Sequence, residues 1–396
     1  MTRITNGMLV ENYMTNTNRN LNNMQTLQRQ LSSGKEINRP SDNPYKASRT
    51  MQLYTEIDAN KQYNENIKDV SNWLDTTDTA LDQAGKVFAR VRELLVTAGN
   101  GAYGDDEKKA IQDEIKEKVN ELSQILNTNF DGAYIFGGTK STSKPVTVNS
   151  NGELCYADTD GNAISKTNTG LNIELKDKIT ISGGTPVVEK KIDNIIKDGT
   201  NIKLSVDGVE YPVEVNGAGE KVVKINSVEY KIPDTEINDI ASKADVTLNQ
   251  IGSDLKVEIS QGVFIDYNKS AIDILEYKDK KGDSHNVMDI LNDIITNLGP
   301  GGDQSKLTGE CIEQVDAIIG NLLQSRSEVG AMTNRMESAE SKNEDENLNM
   351  TDILSKTEDI DYAEKMMEYS VMQTIYMASL QTSAKILPTT ILDYIR

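Results

Sequence analysis

Histidine, cysteine and aromatic residues are scarce in this chain. One histidine, two cysteines and one tryptophan stand among 396 residues, and aromatics make up 5%. His285, in the run Asp283-Ser284-His285-Asn286, cannot build a zinc site or a His-based acid–base centre without further ligands close by; it reads as a polar loop residue. Cys155 and Cys311 fall in segments of different expected type, so a disulfide between them has no support and no Cys/His nucleophile pair is suggested. So little cysteine is compatible with export in reduced form. There is no Walker loop. Gly217-Ala218-Gly219 lacks the third glycine and the helix of a dinucleotide fingerprint, and reads as a hairpin turn. Asp158-Thr159-Asp160-Gly161 opens like a calcium loop but has no later acidic anchor, so a turn is expected there too. The sequence supports no enzyme, cofactor or metal site, although a separate insert could still house one.

Long apolar runs are also missing. No stretch approaches the ~18–20 residues of a membrane span, and no apolar segment follows Met1-Thr2-Arg3-Ile4-Thr5-Asn6-Gly7 as it would in a cleavable signal. The expectation is a chain without membrane insertion that either stays in the cytosol or leaves by a route that reads no cleaved signal. Positive charge is outnumbered, 42 against 62, for a net charge of −20. Such a balance argues against nucleic acid or anionic lipid as partners. Acidic residues crowd the C-terminal side at Glu337, Glu340, Glu344, Asp345, Glu346, Asp352, Glu358, Asp359 and Asp361, and read as a solvated helix face or linker.

What is present is heptad pattern at both ends. One seam runs Val10, Met14, Thr17, Leu21, Met24, Gln28, Leu31. Another runs Tyr362, Met366, Tyr369, Gln373, Tyr376, Leu380, Ser383, Leu387. Spacings of three and four mark helices that pack side by side, with each other or with copies of themselves. The C-terminal helix is apolar on more than one side, since Val371, Met372, Ile375 and Met377 flank its seam. One partner helix cannot cover all of that, and the alternative is a helix buried in a globular core. The strongest pattern lies between them. Ile67, Leu74, Leu81, Phe88 and Leu95 repeat at sevens, with Val70, Thr77, Ala84, Val91 and Ala98 filling the second position. A helix starting near Pro44 would be a rod ~80 Å long at ~1.5 Å per residue. A shorter helix follows with Ile111, Ile115, Val119, Leu122 and Leu126 on one face.

The period then changes. Phe130 to Gly138 reads as a turn and strand, with Asp131-Gly132 supplying positive φ. Residues 144–267 are strand-like at Val146–Val148, Leu171–Leu175, Ile202–Val206, Tyr211–Val215 and Lys221–Ile225. Ile192–Ile196 and Ile237–Ala244 read as short helical connectors. Helices resume near Val287. After Gly299-Pro300-Gly301-Gly302 a long one carries Cys311, Val315, Ile318, Leu322, Ser325, Val329, Met332, Met336 and Ala339, and a polar break over Lys342–Asn349 leads into the terminal helix. The fold expected is mainly α with a β-rich insert: an elongated, folded-back antiparallel helical bundle or coiled coil with discontinuous domains. They are 1–43 plus 350–396, a terminal coiled coil; 44–143 plus 271–349, a long-helix bundle with a small hairpin; and 144–270, a variable β domain at the tip. Gly34 suits a left-handed helix end. The run Asn38-Arg39-Pro40-Ser41-Asp42-Asn43-Pro44 reads as a linker and helix cap, Asn43 at N-cap and Pro44 at N1. A jointed spoke that lets subunits adapt is the other reading of this run.

Several of these stretches resemble the flagellin family. Leu31 to Pro44, LSSGKEINRPSDNP, is similar to the N-terminal signature shared by flagellins and hook–filament junction proteins. Phe130-Asp131-Gly132-Ala133-Tyr134-Ile135-Phe136-Gly137-Gly138 and the ending Thr390-Ile391-Leu392-Asp393-Tyr394-Ile395-Arg396 resemble the junction proteins more than flagellins. Val329–Met336 and Asp359–Glu364 look like C-terminal motifs of both. The resemblance covers roughly 1–140 and 285–396; the β insert resembles no family that can be named from its residues. It implies a non-enzymatic structural protein of the bacterial flagellum, exported through the type III apparatus and secreted unfolded, with a cytosolic chaperone guarding its C-terminal segment. The terminal helices would line an axial channel, the long helices form the next shell, and the insert face outward. Partners would be hook-associated protein 1, flagellin and copies of itself in a junction ring, met through Val10, Met14, Leu21, Met24, Leu31, Tyr362, Met366, Tyr369, Ile375, Tyr376, Leu380, Leu387 and Ile395. A filament subunit is the near alternative; an adhesin or glycan-active protein acting through the insert is the other.

Overall fold

The computed structural model describes residues 6–99, 104–167, 170–183, 188–198, 201–216, 221–226, 228–231, 234–278 and 282–386. Helix α1 (Asn6–Ser33) is followed by α2 (Pro44–Ala98) and α3 (Asp105–Leu126). A hairpin of β1 (Asn129–Phe130) and β2 (Ala133–Tyr134) leads into nine further strands. These are β3 (Val146–Val148), β4 (Leu154–Ala157), β5 (Ala163–Thr167), β6 (Gly170–Gly183), β7 (Val188–Asp198), β8 (Asn201–Val206), β9 (Val209–Val215), β10 (Lys221–Ile225) and β11 (Val228–Lys231). Helix α4 (Asp234–Ile251), the hairpin β12 (Lys256–Ser260) and β13 (Val263–Asp266), and α5 (Ala271–Leu275) come next. Then follow β14 (Glu276–Lys278) and β15 (Ser284–Asn286), α6 (Val287–Leu298), α7 (Gln304–Thr308), α8 (Glu310–Glu358) and α9 (Tyr362–Ile386). The chain is therefore mainly α with a β-rich insert, as the periodicities indicate.

It divides into two compact units, residues 1–65 with 340–396, and residues 66–339. The first is discontinuous and made from both chain ends. The expected boundaries at 43 and 350, and a separate insert domain, are not the lines the structure draws. The observed division after residue 65 falls inside α2, and the one after residue 339 inside α8.

In the second unit the α2 seam is closed. Ile67, Leu74, Leu81, Phe88 and Leu95 are at most 1% exposed, and Val70, Thr77, Ala84, Val91 and Ala98 at most 5%. The expected faces of α3 and of α8 up to Met336 enter the same core. Arg326 forks from α8 to Asp78 at 2.9 Å and Asp82 at 2.7 Å on α2, which fixes the two helices in register. Both thiols are free and buried. Burial and nearby carboxylates push Cys155 up to about 12, so it stays a neutral thiol. Burial likewise raises Cys311.

The insert is one antiparallel meander, in the order β3 to β11, closed by pairing of β11 with β6 through Tyr230↔Gly183 and Lys231↔Ser182. Three expectations are corrected here. Ile192–Ile196 is not helical but part of β7. Ile192 and Ile195, three apart, imitate a helix face, and both are buried because the β6–β7 ladder shifts register between Glu174 and Ile179. Ile237–Ala244 is helical, within the longer α4. The Phe130–Gly138 stretch is a strand only at its start. Asp131 (φ 51) and Gly132 (φ 82) make the tight turn, and Ile135 and Phe136 then leave the ladder to be fully buried. His285 sits in a strand, not a loop, stacked on Tyr277 at 5.5 Å. The Asp158 loop is a turn closed on itself, with Asp158 Oδ1 accepting from the amides of Asp160 (2.9 Å) and Asn162 (2.7 Å). Gly217–Gly219 lie outside the described residues.

Candidate assembly interface

In the first unit α1 and α9 lie side by side, and Tyr13 Oη donates to the Ser379 carbonyl at 2.9 Å. Helix α1 ends where glycine is required twice. Gly34 has φ +73, and a Cβ there would stand 2.8 Å from Tyr362 Oη. Helix α9 begins on Asp361, whose Oδ1 accepts from the amides of Ala363 (2.8 Å) and Glu364 (3.2 Å).

The exits of α1 and α8 are laced together. The Glu36 amide donates to Glu358 O at 2.6 Å and the Ile360 amide to Gly34 O at 3.1 Å, around a bridge between Lys35 and Asp359. Glu358 is 6% exposed, unlike the other acidic residues of its run, and is held by Lys35 Nζ at 2.5 Å and by Tyr54 Oη at 2.9 Å. Hydrogen bonds to Glu358 and Tyr54 hold the Lys35 ammonium above its ordinary range.

The run Asn38–Pro44 is a built turn. Asp42 Oδ2 accepts from the amides of Asn38 (3.2 Å) and Arg39 (2.9 Å), and the Asp42 amide donates to Arg39 O at 2.9 Å. Asn43 Oδ1 accepts from the Lys46 amide at 3.2 Å, the expected cap, with Pro44 first in α2. Arg39, Pro40 and Ser41 are exposed at its tip. All seven residues lie within the first unit, so the turn links helices rather than the two units. The polar break expected over Lys342–Asn349 is absent. Helix α8 runs through it to Glu358, carried by the Lys342–Glu346 pair at 3.4 Å and by Asn60, whose amide donates to the Asn343 carbonyl at 2.9 Å.

The two terminal seams divide cleanly. On α1 the row Val10, Thr17, Met24, Leu31 is half-buried as expected. The second row is not Met14, Leu21, Gln28 but Tyr13, Asn20, Leu27, one residue back; Met14 is 55% exposed, Leu21 lies at 36%, and Leu27 is buried. On α9 Tyr369, Tyr376 and Ser383 are half-buried, while the second row is Lys365, Met372 and Ser379 rather than Met366, Gln373 and Leu380. Tyr362, Met366, Met367, Val371, Ile375, Met377 and Leu380 are 45–66% exposed. Leu387 and Ile395 lie outside the described residues. The pair thus buries a seam rich in polar residues and turns much of its apolar surface outward. Leu27, Met367, Val371, Met372 and Ile375 line an open groove of about 660 Å³ between the helices. Fully burying a side chain of this kind yields about 1.5–3 kcal/mol, so the open face of α9 offers on the order of 10 kcal/mol gross before ordering costs. Sequence reasoning missed Tyr13 and Leu27; the heptad step from Thr17 back to Tyr13 and from Met24 on to Leu27 was the signal for them. Among the described residues no cluster of ligands could hold a metal ion, and no helix is long and apolar enough to cross a membrane.

A helical unit made from both chain ends, with apolar faces turned outward along its terminal helices, defines a structural subunit built for assembly. Residues 4–141 match the bacterial flagellin N-terminal helical region and residues 312–395 the bacterial flagellin C-terminal helical region, together more than half of the chain. The chain belongs to the flagellin family and is a flagellar structural protein of the flagellin and hook-associated protein type. It is 24% identical over 375 residues to a flagellin of Clostridium tyrobutyricum, covering 93% of this chain and 94% of that protein. It is 28% identical over 144 residues to flagellar hook-associated protein 3 of Salmonella typhimurium, covering 36% of this chain and 45% of that protein. Among solved structures, a putative flagellar hook-associated protein from Vibrio parahaemolyticus aligns with TM-score 0.48 at 16% identity, over 80% of this chain and 100% of that one. Hook-associated protein 3 from Legionella pneumophila aligns with TM-score 0.42 at 20% identity, over 77% and 98%.

Proposed function

We propose that the chain is the hook–filament junction subunit, the hook-associated protein 3 of its flagellum. The observation that carries an assembly role is the outward apolar face of α9, with Met366, Val371, Ile375 and Leu380 exposed. Choice of the junction rests on Phe130–Gly138 and the ending Leu392-Asp393-Tyr394-Ile395-Arg396, which resemble junction proteins more than flagellins. In this reading the subunit leaves through the type III export apparatus, its C-terminal segment guarded by a chaperone. Outside the cell it forms a ring with copies of itself, between hook-associated protein 1 and the first flagellin subunits. The terminal helices form the inner layer, the long helices brace them, and the insert faces outward. No reaction is assigned to it.

A filament subunit is the second reading, favoured by the match along nearly the whole length of the Clostridium flagellin. Immunogold labelling of the native protein separates the two. A single cluster of gold at the hook–filament boundary is expected; labelling along the filament would make the chain a flagellin.

A further inference from the structure

The second unit holds a cavity of about 470 Å³ that assembly through the terminal helices does not use. It is lined by Asp69, Val70 and Trp73 of α2, by Phe130 and Asp131 of the first hairpin, and by Tyr267 just past β13. The rings of Phe130 and Tyr267 both stand nearly perpendicular to the Trp73 indole, at 84° and 82°, with centroids 6.0 and 5.9 Å away. Three aromatic residues therefore wall an open space. Trp73 is 8% exposed, and its indole N–H is closed off from the open space. Among the described residues no lysine, arginine or histidine lines the cavity; its charged groups are the carboxylates of Asp69 and Asp131. The tight turn at Asp131 and Gly132 fixes the second of these.

Each part of this arrangement selects a property of the occupant. Aromatic faces carry a negative quadrupole and attract cations, and most effectively those whose charge is spread over alkyl groups that tolerate desolvation. Two carboxylates add charge attraction but too few oxygens to replace the shell of a hard metal ion. We propose that this cavity binds a small quaternary ammonium compound, with the cation against the rings and carboxylates.

Trp73 is the single tryptophan of the chain, so fluorescence excited selectively at tryptophan, clear of the 15 tyrosines, reports on this cavity. Choline and glycine betaine serve as free probes, phosphatidylcholine vesicles as a headgroup probe, and 3,3-dimethylbutanol as the neutral isostere of choline. A saturable change with choline or betaine is expected, and loss of the cation–π attraction should make the neutral isostere about tenfold weaker. Vesicles that give the same saturable change identify a lipid headgroup as the source; silent vesicles with responding free probes identify a soluble ligand. Tyr267→Leu should weaken binding about tenfold. Asp131→Asn should weaken it about threefold while keeping the turn, since Asn-Gly favours the same backbone. Circular dichroism confirms that each variant is folded, and Asp131→Asn alone suffices should Tyr267→Leu unfold. Absence of a saturable response to every cationic probe overturns the proposal, as does an equal response to 3,3-dimethylbutanol or unchanged binding by the folded variants.

Discussion

Helix α2 from Ile67 to Ala98 and helix α9 from Tyr362 to Ile386 carry the same kind of heptad pattern and meet different fates. Both seam rows of α2 are closed over, none of their residues more than 5% exposed. On α9 the covered rows include Lys365, Ser379 and Ser383, while Met366, Val371 and Leu380 face outward. A heptad pattern therefore records which residues a helix can bury, and the neighbours present decide which it does bury. The closed seam belongs to a finished core. The open one stays exposed in the subunit, where the proposed assembly would cover it.

Truncation should separate the two regions most strongly. Phe88→Ala empties a closed core site and should cost about 3–5 kcal/mol, read as a lower denaturant midpoint for the second unit. Met366→Ala removes an exposed side chain and should stay within about 0.5 kcal/mol in the isolated protein. Equal costs would mean that α9 is as enclosed as α2.

A buried charge tests the closed region next. Lys140 is 4% exposed, its ammonium donates to the carbonyls of Lys144 (2.9 Å) and Ala157 (2.5 Å), and burial lowers it from 10.5 to about 8. Its folded value lies below the unfolded one, so the unfolded chain binds more protons between these values and stability rises as pH climbs from about 8 to 10.5. The gain should be on the order of 1–3 kcal/mol, seen in denaturation at pH 7.5 against pH 10 and absent in Lys140→Met.

Smaller effects are expected where the terminal helices are joined. Gly34→Ala sets a Cβ against Tyr362 and a left-handed residue without glycine, and should cost about 1–2 kcal/mol in thermal unfolding of the first unit. Asn43→Ala removes the cap of α2 and should cost about 1 kcal/mol by the same measurement.

Much of this was legible from residue pattern, and the misses have physical causes. The α2 seam could be read in full because apolar residues there are also the buried ones. On α1 and α9 one row was legible and the other fell one residue out. Pattern reading selects the apolar Met14, Leu21, Met366 and Leu380, which the structure leaves outside, over the polar Asn20, Lys365 and Ser379 that it half-covers. The polar stretch Lys342–Asn349 imitates a break but stays helical, because solvated charges pair along the helix and Asn60 holds the buried Asn343 by its carbonyl. The aromatic cavity left no trace, since Trp73, Phe130 and Tyr267 meet only after three separate elements pack.

The open face of α9 is tested most directly by a double variant, Val371→Asp with Leu380→Asp, both sites being exposed in the subunit. The purified variant should unfold at the parental denaturant midpoint, and cells that express it should fail to build it into flagella. A variant that assembles normally, or one whose isolated subunit loses its fold, would contradict a face reserved for neighbouring subunits.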